Sequence, residues 1–157
     1  MTTLGPDFRK SAVEDYGARH NSNAIGSNTH LSEARLRFIH HYLERTRAET
    51  DNLSLFTENW PQVDRAWHGL LQEYDKQPPP WRTTMIDYLL TFFPLQHRCG
   101  LWREASDWNT AALPHLAADE TTWVKVEVLA QLGLVSGQLG NHAMEILCYD
   151  EGLEFGE

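Results

Sequence analysis

Long apolar runs are missing from this 157-residue chain. None approaches the roughly 20 residues that a membrane-spanning helix needs, so an integral membrane helix is not expected. Cysteine is scarce: Cys99 and Cys148 stand alone. They lie too far apart in sequence for a metal or redox motif, so both are expected as reduced thiols buried in helices. The N-terminus has no charged-then-apolar signal pattern, and a cytoplasmic setting is expected. Segments of alternating apolar and polar residues are also absent, so no stretch asks to be a strand. A Gly-x-x-x-x-Gly-Lys-Ser/Thr loop is missing too, and with it the usual cradle for nucleotide phosphates.

Basic residues run short in one place. Residues 100–157 hold only Arg103 and Lys125 against ten acids, which accounts for eight of the nine net negative charges. Such a surface repels phosphate backbones and anionic membranes. It accommodates a basic or apolar peptide more easily. The plainer role of these acids is to solvate outer helix faces.

Apolar residues make up 41% of the chain and aromatics 11%, with six tryptophans. This composition predicts one folded domain with a real core. Residues 1–29 are polar and end in His20-Asn-Ser-Asn-Ala-Ile-Gly-Ser-Asn-Thr29, which reads as a flexible lead and linker. Phe8, Ala12 and Tyr16 allow a short helix within it. The helical domain is placed at 30–157.

Leu36, Ile39, Tyr42 and Leu43 stripe a first helix over about 32–47. Residues 48–58 read as a short helical turn. Asn59 and Gln62 have the spacing of a capping pair with Pro61 in the first turn, so a new helix is predicted to start there. It carries Trp60, Val63, Trp67, Leu70, Leu71 and Tyr74. Pro78-Pro79-Pro80 launches a helix over about 81–98 that is apolar on several sides and therefore central, with Pro94 expected to kink it. Gly100 ends it. The next helix, about 101–113, uses Leu101, Ala105, Trp108 and Ala112.

Thr121 or Thr122 starts a helix to Leu139 with Leu129, Leu132, Val135 and Leu139 on one face. Gly133 and Gly137, four apart on it, invite close approach of a neighbour. Gly140 then supplies the left-handed residue that closes the helix. The last helix is expected to bury Ala143, Ile146, Tyr149 and Leu153.

A helical hairpin of this kind cannot bury its apolar face alone, and the chain repeats it at a spacing of forty residues. Gly140 falls on Gly100, Leu153 on Leu113, Gly133 on Phe93 and Glu145 on Ala105. Gly100-x-Trp102-x-x-Ala105, then Ala112-Leu113, Leu132-Gly133, Gly140, Tyr149 and Leu153, resemble the tetratricopeptide (TPR) repeat. His142 and Glu145 depart from its aromatic and small positions. With Tyr42-Leu43 and Glu58-x-Trp60-x-x-Val63-x-x-Ala66-Trp67 added, residues 32–157 resemble the helical repeat region of bacterial STAND-type signalling ATPases, which follows an NB-ARC-type nucleotide-binding module.

The resemblance implies an all-α, right-handed stack of antiparallel helix pairs: a leading pair at about 32–75 and TPR-like pairs at about 81–115 and 121–155. It also implies a non-catalytic scaffold or sensor domain that binds protein, with no cofactor. The partner would lie on a concave surface lined by first helices, at Tyr88, Phe92, Gln96, Gln131 and Ser136. A carboxylate clamp is disfavoured, because the aligned positions hold Leu90, Pro94 and Ala130. The chain reaches Glu157 with no solvating helix after the last pair. That predicts either self-association through the pair or truncation from a longer protein.

Metal binding and RNA cleavage are the chemical alternatives to this reading. The eight histidines show no metal-ligand spacing, and adjacent His40 and His41 point about 100° apart on a helix. Arg35-x-x-x-x-His40 resembles the Arg-x(4–6)-His pattern of HEPN ribonucleases, in which Arg stabilises phosphate charge and His moves a proton. The tryptophans are expected in the core rather than in a ligand cage.

Overall fold

The computed structural model describes residues 31–74, 78–116 and 122–156, and the expectations for 1–29 lie outside these. The described residues are helical, with no strand among them. The chain divides into two compact units, 1–37 and 38–157. Helix α1 covers residues 31–48, so the division falls inside it. The second unit continues with α2 (Leu53–Tyr74), α3 (Pro78–Arg98), α4 (Trp102–Ala112), a single 3₁₀ turn (Leu113–His115), α5 (Thr122–Gln138) and α6 (His142–Gly156).

Helix α2 is continuous where the sequence predicted a turn and a new start at Asn59. Asn52 supplies the cap: its Oδ1 accepts the Leu55 N–H at 3.1 Å. Pro61 therefore lies inside the helix rather than at its start. Its ring is exposed, so the Thr57 carbonyl that loses its helical donor faces the wet side. Asn59 is no cap; its Nδ2 donates back to the Leu55 carbonyl at 2.7 Å.

Helix α3 packs against α2, α4 and α5, the central position that its apolar composition called for. Trp81, Met85, Tyr88, Leu89, Phe92, Phe93 and Leu95 are buried, and Pro94 is on the exposed side. Between α2 and α4 the tryptophans do what a core asks. The Trp108 indole stacks on Trp67 at 4.8 Å and on Trp60 at 5.3 Å between ring centres. Its Nε1 donates to Asp64 Oδ1 at 3.2 Å.

The two helix–turn–helix junctions forty residues apart are built from the same bonds. Gly100 and Gly140 have φ of +73° and +78°, the left-handed conformation that glycine adopts without strain. At the first junction, Gly100 N–H donates to the His97 carbonyl and Leu101 N–H to that of Gln96. At the second, Gly140 N–H donates to Gly137 and Asn141 N–H to Ser136. Both are Schellman turns, which satisfy carbonyls that a helix end otherwise leaves open. Phe93, Ala105, Leu132, Val135 and Cys148 then share one core cluster, with Trp102 and Leu113 against it. Trp102 also donates its Nε1–H to the His97 carbonyl at 3.2 Å.

Candidate protein-interaction surface

Helices α5 and α6 run antiparallel along a seam of glycines. A Cβ placed on Gly133 would lie 2.8 Å from Tyr149 Cε1, and one on Gly137 would lie 2.7 Å from a Glu145 carboxylate oxygen. One turn further along, Gly152 faces Leu129 Cβ. The close approach expected of Gly133 and Gly137 is therefore filled by large side chains from α6. Glu145 stands where a small side chain was looked for, and Gly137 makes the room. Its carboxylate is bonded to His142 Nδ1 at 3.0 Å. Lys125 pairs with Glu151 at 3.1 Å and sits 3.6 Å over the Phe155 ring.

This seam reverses the expectation for α6. Ala143, Ile146, Tyr149 and Leu153 were predicted to be buried; Leu153 is 71% and Ile146 59% exposed, and Ala143 and Tyr149 are exposed as well. The buried line is Cys148 and Gly152, about a third of a turn away. The cause lies on α5: bare backbone at 133 and 137 lets α6 settle on its Glu145–Tyr149–Gly152 side. Leu139 was expected on the buried face of α5 and is exposed at the turn, whereas Leu129, Leu132 and Val135 are buried. Burial pushes the Cys148 thiol above its usual range, with Glu151 adding to the shift, so the thiol stays protonated.

The concave-surface residues are also corrected. Tyr88, Phe92, Gln96, Gln131 and Ser136 are all buried, so none offers a surface to a partner. Tyr88 and Phe92 lie where α3 is enclosed by its neighbours. The Tyr88 hydroxyl donates to the Val63 carbonyl at 3.1 Å, and the Phe92 ring packs on Tyr88, Phe56 and Trp108. Gln131 donates to Glu127 Oε1 at 3.0 Å. Of the repeat-signature positions, Ala105, Ala112, Leu132 and Gly133 are buried, Trp102 is half-buried, and Leu153 is open to solvent.

Arg35 is exposed, and His40 is exposed with its Nε2 at 3.4 Å from Thr84 Oγ1. Among the described residues, no three His, Cys, Asp or Glu side chains converge as metal ligands, and no helix is long and apolar enough to cross a membrane.

What the structure does gather is apolar surface. Of the nine large hydrophobic side chains exposed among the described residues, eight lie on α5, α6 and their turn: Trp123, Leu134, Leu139, Met144, Ile146, Leu147, Tyr149 and Leu153. Scattered exposed hydrophobics need no explanation, but a set gathered on one hairpin makes that hairpin the candidate interaction surface. No family model, curated protein or solved structure matches the chain.

The seam gives a direct test of the hairpin. Gly133→Ala is expected to cost about 1–3 kcal/mol through overpacking against the Tyr149 ring. Alanine's helix preference offsets about 1 kcal/mol of that. With Tyr149→Ala already in place, the same change is expected to stabilise the protein by up to about 1 kcal/mol. Urea unfolding of the four proteins reads the sign reversal. An equal cost in both backgrounds would mean that Tyr149 is not what Gly133 accommodates.

Proposed function

We propose that this chain is a non-catalytic protein-interaction module, a scaffold or sensor of TPR-like helix pairs related to the repeat regions of bacterial signalling proteins. The observation that carries this reading is the concentration of exposed large hydrophobics on the α5–α6 hairpin. The matching Schellman turns at Gly100 and Gly140 support the repeat kinship. The binding surface assigned here is the outer side of the last pair, in place of the buried positions on α3 and α5.

A photo-crosslinking residue at position 146 tests it, in cells that naturally make the protein. An adduct with another protein is expected from position 146. None is expected from position 72, an exposed site on α2 away from the hairpin. No adduct, or equal adducts from both positions, argues against the reading.

A further inference from the structure

The contacts across the hairpin fix which of its exposed side chains look the same way. On α5, Leu129, Gly133 and Gly137 face α6. Leu132 and Val135 turn from that line toward the shared core, where they meet Cys148 from α6. At about 100° per residue, Trp123, Ala130 and Leu134 then lie on the other side of the same line. On α6, Tyr149 lies on the seam and Cys148 points to the core, which puts Ile146 and Leu153 on that same far side. Two stripes, one per helix, thus open onto one face: Trp123, Ala130 and Leu134 beside Ile146, Tyr149 and Leu153. The face runs about 16 Å along α5 at the helical rise, room for about three turns of a partner helix.

Its rim carries one sign of charge. Glu127 edges the α5 side, and Asp150 and Glu154 edge the α6 side; all three are exposed. The only Lys or Arg in either helix is Lys125. It points to the core side of the hairpin, where Glu151 and Phe155 hold it. A second copy docked about a two-fold axis would set these carboxylates against their own kind. A helix with basic flanks would neutralise them.

We infer that the outer face of the α5–α6 hairpin docks one amphipathic helix from another protein, apolar along one stripe and flanked by lysine or arginine. This rests on the interaction-module reading and names the chemistry of its partner. The mode is a helix laid in a groove, anchored by stripe residues and selected by rim charge.

The test uses the full chain and two synthetic peptides about 18 residues long, one of leucine and lysine in helical pattern and one with glutamate at every lysine position. In calorimetric titration near 0.15 M salt, the lysine peptide is expected to bind one per chain and at least about tenfold more tightly than the glutamate peptide. Ile146→Asp with Leu153→Asp is expected to weaken it by at least about tenfold, with helical content unchanged because both sites are exposed. Asp150→Lys with Glu154→Lys is expected to shift the preference toward the glutamate peptide.

Equal affinity for both peptides, or binding that ignores the Ile146/Leu153 pair, overturns the inference. So does sedimentation showing a peptide-free dimer that Ile146→Asp dissociates, which would make a second copy the occupant. If position 146 still crosslinks to another protein while both peptides fail, this inference falls and the proposed function stands.

Discussion

Trp108→Ala is expected to lower the free energy of unfolding by about 3–5 kcal/mol, a large share of what a domain of this size has. Trp108 is the middle ring of three, between Trp60 and Trp67, and 2% exposed. Its removal opens a void between α2 and α4 that neither flanking indole can close, because both are fixed two turns apart on α2. Tyr88 and Phe92 lose ring contacts at the same time. Asp64 loses its indole donor as well. The control is Trp123→Ala: that side chain is 64% exposed and its loss is expected to move stability by no more than about 0.5 kcal/mol. Urea midpoints at unchanged slope measure both. A cost below about 1 kcal/mol for Trp108→Ala would remove the aromatic stack from the centre of the fold.

The second large effect concerns alkaline pH. Burial pushes the ionisation of the Tyr88 phenol far above its ordinary value of 10.0, and coulombic interaction with Tyr42 and Asp64 pushes it the same way. In the unfolded chain this tyrosine loses its proton near pH 10. Below that pH both states hold the proton and Tyr88 contributes its full stability. Above it the unfolded state holds fewer protons, so stability falls as pH rises, by about 1.4 kcal/mol per pH unit from this group.

Tyr88→Phe removes that dependence and gives up one hydrogen bond to Val63, worth about 1 kcal/mol. The variant is therefore expected to be less stable than the parent at pH 8 and to overtake it near about pH 11. Thermal unfolding of both proteins across that range shows the crossing. Parallel curves would mean that the folded protein releases the Tyr88 proton as readily as the unfolded chain does.

Much of the helical layout was legible because its punctuation is local. Gly100, Gly140 and the proline run at 78–80 act within one turn of chain, and each marks a junction of α3, α4, α5 or α6. The start of α2 was misread because two start signals compete there. Pro61 after Asn59 reads as a first turn, yet Asn52 caps the helix seven residues earlier and the proline is carried on the wet side.

The surface was the harder part. Periodicity groups Ile146, Tyr149 and Leu153 on one face but carries no label for what the face meets. The deciding signal is Gly133 and Gly137, which permit close approach. Their bare backbone also sets which side of α6 approaches. Likewise Tyr88 and Phe92 read as first-helix lining, but a helix with neighbours on three elements has little inner surface left to offer.

The seam also bears on how freely these helices could be recombined. At the forty-residue offset Gly133 falls on Phe93 and Tyr149 on Asn109, so in the first pair the ring belongs to the first helix. In the other pair it sits on the second helix, as Tyr149 on Gly133. A hybrid joining α3 to α6 would bring Phe93 and Tyr149 to one spot, two rings where the fold holds one. A hybrid joining α5 to α4 would face glycine with asparagine and leave a ring-sized hole. The two junctions share their hydrogen bonds, but the pairs are keyed, and neither half fits the other's counterpart.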